Sequence, residues 1–125
     1  MDILLIERRV TTLIAVITVI TGSSQMMMPE RLLPMLAVEP TAATAQLFAT
    51  VGMFMVLFGG ALLHAQMNRT ALSVVLVWAG LQKLGAALLV TWGVLHGVFS
   101  PLALLVAVLD FASGVLFFDL RRRGG

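Results

Sequence analysis

Apolar residues run almost unbroken from Val10 to about Met28, stop at Pro29, Glu30 and Arg31, and resume from Thr41 to about His64. Two more such runs follow, from about Thr70 to Gly97 and from Pro101 to Leu120. Each approaches or exceeds the roughly 20 residues that an α-helix needs to cross ~30 Å of hydrocarbon. The pattern predicts an all-α fold, an integral membrane four-helix bundle, with helices over about 10–28, 41–64, 70–97 and 101–120.

The breaks carry their own chemistry. Thr41 is a side-chain cap for the second helix, and Ser100 followed by Pro101 reads as an N-cap and first helical residue for the fourth. Ala65 to Arg69 is a polar turn. The segment 29–40 mixes Met, Leu and Pro with Glu30, Arg31 and Glu39, which predicts an interfacial loop or broken helix. The first run follows Arg8 and Arg9 and ends in small polar residues, as a secretory leader does, but it is long for one and is expected to stay as an anchor.

Composition agrees with the pattern: 60% of the chain is hydrophobic and only 11% charged, against roughly a quarter charged in soluble domains. The net charge of +2 does not indicate nucleic acid, because the basic residues flank apolar spans and do not line a face with interleaved aromatics. They order the spans instead. Arg8, Arg9, Arg69 and Arg121 to Arg123 fall on one side of the predicted bundle, and only Arg31, with Glu30 and Glu39, falls on the other. Basic residues near span ends stay in the cytoplasm, so both termini are expected inside, in a bacterial inner membrane, with segment 29–40 outside. The chain has no cysteine, which excludes disulfides, thiolate metal sites and a cysteine nucleophile.

Two ionisable residues sit within apolar runs, Lys83 and Asp110. A charge at that depth is expensive and faces the bundle interior or a water cavity, usually against a partner. The two lie nearly equal distances either side of the turn at His96 and Gly97, which at ~1.5 Å per residue places both ~15–20 Å from it, near the bilayer middle. Ala79, Ala86 and Ala87 share the Lys83 side of the third helix, and Ala103, Ala107 and Gly114 the Asp110 side of the fourth, as close helix packing requires. Gln82 and Trp78 are nearby candidate donors. The pair is read in two ways: as an ion pair fixing register, or as a proton- or ligand-binding site.

Other groups carry weaker readings. Thr11, Ala15, Thr18, Gly22 and Gln25 form a small and polar stripe on the first helix, which is the pattern of a packing face, and Gln46 is placed to join Gln25 in an outward polar vestibule. Gly52, Gly59 and Gly60 allow close contacts on the second. His64 and His96 fall at opposite membrane faces, which argues against haem, and the run Met26 to Met28 is too short for a copper site. No cofactor and no metal is expected.

Met28-Pro29-Glu30-Arg31-Leu32-Leu33-Pro34, Leu57-Phe58-Gly59-Gly60 and the stretch from Trp78 to Ala87 together resemble the small four-helix bacterial membrane proteins called DoxX-like or BphX-like. The resemblance implies a four-helix membrane fold and leaves open an accessory role in quinone-linked redox systems. It supplies no site residues. The residues themselves, lacking a nucleophile–base pair or phosphate loop, point to a non-enzymatic accessory or scaffold subunit in a homo-oligomer or larger membrane complex. The alternative is an oligomeric proton-coupled or small-solute transporter using Lys83 and Asp110.

Overall fold

The computed structural model describes residues 2–124. Every regular element among them is helical: α1 (Ile3–Met27), α2 (Pro29–Leu32), a 3-10 turn (Leu33–Leu36), α3 (Ala42–Asn68), α4 (Leu72–Leu95) and α5 (Ala103–Gly124). α3, α4 and α5 are each long and apolar enough to cross a membrane. α1 begins at Ile3, well before Val10, because Asp2 accepts a hydrogen bond from the Leu4 amide and caps it. Its first two turns therefore carry Glu7, Arg8 and Arg9.

The caps partly follow expectation. At the start of α3, Thr41 and Thr44 form a reciprocal capping box, the Thr44 amide donating to Thr41 Oγ1 at 3.1 Å and the Thr41 amide to Thr44 Oγ1 at 2.8 Å. α4 ends in a Schellman motif: Gly97 takes φ +73°, its amide donates to Val94 O at 3.1 Å and that of Val98 to Gly93 O at 2.8 Å. Ser100 and Pro101 do not start α5, which begins at Ala103. Ser100 reaches the segment between α1 and α3 instead, its amide donating to Leu36 O at 2.9 Å and its hydroxyl to Met35 O at 3.1 Å.

Packing divides the chain into two antiparallel hairpins. α1 lies along α3 and α4 along α5, whereas α1 meets α5, and α3 meets α4, much more sparsely. Missing side chains make the first hairpin close. A Cβ on Gly52 would lie 2.5 Å from Gly22 O, and one on Gly59 would lie 2.9 Å from Ala15 O. Gly22 to Ala15 and Gly52 to Gly59 are equal two-turn steps, so backbone meets backbone twice on one face. In the second hairpin a Cβ on Gly114 would lie 3.1 Å from Gly80 O and 2.7 Å from the Leu84 side chain.

The interior is made largely of small residues, Ala15, Ala65, Ala79 and Ala107 among them, around Leu76, Phe117 and Leu120. Large apolar side chains point outward: Leu47 is 67% exposed, Leu88 72% and Leu95 74%. An apolar exterior this continuous is far beyond what a water-soluble surface carries. It suits a membrane, where lipid tails are as good a solvent for leucine as the core, and close helix contact comes from small residues.

Gly22→Ala is expected to push α1 from α3 and destabilise by about 1–3 kcal/mol through overpacking. Gly60→Ala, whose Cβ would meet nothing within 4 Å, should be neutral or slightly stabilising. Unfolding midpoints of the two variants in detergent check the contrast, and equal effects would remove the glycine contact as the closing element of this hairpin.

Candidate functional site

Helical register puts Lys83 on the buried face of α4 with Ala79, Gly80 and Ala87. It lies in the middle of that helix, where its stem is enclosed and its ammonium needs partners inside the protein. Lys83 Nζ donates to Thr18 Oγ1 at 3.0 Å and lies 3.4 Å from Asp110 Oδ1. The side chains are 8% and 18% exposed, Lys83 the deeper. Thr18 is oriented by its own helix: its hydroxyl donates to Ile14 O at 2.8 Å, which leaves oxygen lone pairs for the ammonium. Three helices, α1, α4 and α5, thus converge on one nitrogen.

Neighbouring residues close the site tightly. Ala107, Ser113 and Gly114 are buried on the face of α5 next to Asp110, and the Ser113 hydroxyl is satisfied by Leu109 O at 2.7 Å. Beside Lys83 is a cavity of about 10 Å³ bordered by Ala15, Thr18, Gly59, Gln82 and Phe117. That is the size of one water molecule and too small for a solute. Chemically the arrangement can hold a charge pair at depth and tie helices; it has no room to bind an organic substrate.

The sequence expectation of proximity between Lys83 and Asp110 matches the observed geometry, and Gln82 borders the same cavity. Trp78 does not join them: it is 62% exposed, because it falls on the outward side of α4 from Lys83. Thr18, expected only to pack, is the shorter of the two contacts to Lys83. Its signal is present in the stripe on α1, where the hydroxyls of Thr11 and Thr18 and the amide oxygen of Gln25 can accept from a cation. The outward vestibule of Gln25 and Gln46 does not form, since Gln25 Nε2 donates to Met55 Sδ at 3.3 Å and Gln46 is exposed. His96 stacks on Trp92 with ring centroids 4.1 Å apart, and His64 is exposed near the far end of α3.

A second polar cluster has no counterpart in the apolar pattern of the sequence. The buried residues of α1 are Glu7, Thr11, Ala15, Thr18 and Gly22, so the stripe extends one turn beyond Thr11 to Glu7. Glu7 Oε1 lies 3.6 Å from Arg123 Nε on α5. Arg122 and Arg123 both hold Asp119, at 2.6 and 2.8 Å. The signal that would have found it is the i−4 position from Thr11. Compared with family models, with curated proteins and with solved structures, the chain matches none.

Removing one member of the central trio leaves a buried charge unpartnered, so Lys83→Met or Asp110→Asn is expected to destabilise by about 3 kcal/mol, and the double variant by less than the sum. Thr18→Val should cost about 1–3 kcal/mol by removing the closer acceptor. Thermal unfolding of the four variants in detergent measures this. Additive effects, or a silent Thr18→Val, would mean that Lys83 does not tie the helices together.

Proposed function

We propose that the chain is a small integral membrane protein of four spans, α1 joining α3, α4 and α5, with both termini and the α3–α4 turn in the cytoplasm of a bacterial inner membrane. In this reading it is a non-enzymatic accessory or scaffold subunit of a membrane assembly. Orientation is supported by the clustering of Arg8, Arg9, Arg69 and Arg121 to Arg123 at one end of the helices. The observation that carries the functional reading is the engagement of Lys83 by Thr18 and Asp110 beside a cavity of about 10 Å³. A midplane charge that serves as a clamp, with no solute-sized space around it, suits a frame better than a carrier.

The small-residue faces that would serve oligomerisation are used within the chain, at Gly22, Gly52, Gly59, Gly80 and Gly114. Lateral assembly therefore falls to the outward apolar surface. That surface carries an open groove of about 510 Å³ between α4 and α5, bordered by Leu88, Thr91, Trp92, Leu95 and Leu104.

The chain lacks cysteine, so single introduced thiols report cleanly. Glu39→Cys is expected to react with a membrane-impermeant maleimide on intact cells, and Met67→Cys only after permeabilisation. The purified protein in mild detergent should run as an oligomer or with a membrane partner, and proton or solute uptake by liposomes should be absent. A partner-free monomer overturns the scaffold reading. Uptake that is abolished by Asp110→Asn would replace it with proton-coupled transport.

A further inference from the structure

Glu7 is 8% exposed, yet its Oε2 is buried with no hydrogen-bond donor beside it, and one turn deeper Thr11 Oγ1 is equally enclosed and unpartnered. An ionised carboxylate can only accept, so a charged Glu7 would hold a buried acceptor with nothing to receive. A protonated Glu7 is a donor, and Asp119 is gathered with it on one atom of α5: Glu7 Oε1 lies 3.6 Å and Asp119 Oδ2 2.8 Å from Arg123 Nε. Asp119 is the natural charged member, because Arg122 donates to it at 2.6 Å and Arg123 at 2.8 Å. Two carboxyl groups gathered on one guanidinium nitrogen repel each other when both are ionised, which favours one proton held between them.

We propose that Glu7 and Asp119 are a proton-binding site, distinct from Lys83 and Asp110, in which one shared proton locks α1 to α5 at the end where the arginines gather. The site goes beyond the scaffold reading and stands or falls separately from it. Its ligand is a proton and not a metal ion, since Arg122 and Arg123 already fill the positive side of Asp119.

The surroundings on each packed element agree. At this end of α5 the charged groups are Asp119, Arg122 and Arg123, with Arg121 turned away to Ser73 of α4 at 3.1 Å, and Asp110 lies further along the helix against Lys83. On α1 itself Arg8 reaches Gly124 O at 3.5 Å. α3 offers Gln66, whose amide contacts Thr12 Oγ1 at 2.9 Å, and its titratable residue near this end, His64, is exposed. α4 brings no titratable side chain before Lys83. Glu7 precedes the apolar run that starts at Val10. Burial pushes its carboxyl above the ordinary glutamate range, the Asp119 hydrogen bond and charge add to that, and Arg123 and Arg122 oppose it.

The sign follows from a folded-state affinity for the proton that exceeds the unfolded one. Stability from the shared proton is complete below the ordinary glutamate range and is lost as pH rises through the raised value of the folded protein. Infrared spectra of the protein in lipid, taken at stepped pH, test this through the carboxylic C=O stretch. A protonated-carboxyl band should persist above the ordinary glutamate range, vanish in Glu7→Gln, remain in Asp110→Asn, and move to lower pH in Asp119→Asn, where the adjacent negative charge is gone. The thermal midpoint of the wild type should fall across the same window relative to Glu7→Gln, whose amide donates to Asp119 at any pH. A band that survives Glu7→Gln, or equal pH dependence of the two midpoints, overturns the proposal. Should Glu7→Gln fail to fold, an unshifted band in Asp119→Asn overturns it instead.

Discussion

The contact on which the structure depends is that of one lysine with groups from two other helices. In a lipid-facing protein the hydrophobic effect does not distinguish inside from outside, so helices associate by close packing and by polar groups that have nowhere else to go. Within each hairpin, packing suffices: the glycines at 22 and 52, and at 80 and 114, bring backbones together. Between hairpins contact is sparse, and there the ammonium of Lys83 reaches both Thr18 of the first hairpin and Asp110 of its own. A buried ion pair confined to one hairpin would fix register within it. Adding Thr18 makes the same charge hold the two hairpins together.

That contact is one of three polar ties spaced along the seam. At one end Ser100, in the α4–α5 turn, donates to Met35 O and Leu36 O in the segment joining α1 to α3. In the middle is Lys83 with Thr18, and at the other end Glu7 with Asp119 and Arg123. The three differ in chemistry. The Ser100 tie is neutral and indifferent to pH. The central tie is sealed within the helices, and its charges are satisfied by each other. Only the Glu7 tie is both titratable and close to the end of the helices, where water can reach its arginine partners.

The helices could be read from the sequence because each is a long apolar run with a polar stop, and the pairing of Lys83 with Asp110 because depth in an antiparallel hairpin follows from residue count alone. The Thr41 cap and the small faces of α4 and α5 came from local spacing in the same way. What could not be read depended on contacts between hairpins. Thr18 looks like any packing threonine until α4 is placed beside it, and Ser100 looks like a helix cap until the Leu33–Leu36 turn comes within reach. Trp78 was placed near the charge by sequence distance, although a five-residue step along a helix turns a side chain well away from the Lys83 face. Glu7 is invisible to the hydrophobic pattern because the apolar run begins after it, while the buried face of α1 does not.

The unequal chemistry of the ties also bears on how such a molecule moves. Two rigid hairpins joined by few contacts pivot at the tie that is hardest to break and part first at the one that is easiest. Releasing Lys83 would strand an ammonium beside Leu62, Phe117 and Ala79, which favours that point as the hinge. Releasing Glu7 strands nothing once its proton is lost, since the carboxylate is then stabilised by water and its arginine neighbours. On these strengths the seam would part at the arginine-rich end before the central charge pair gives way.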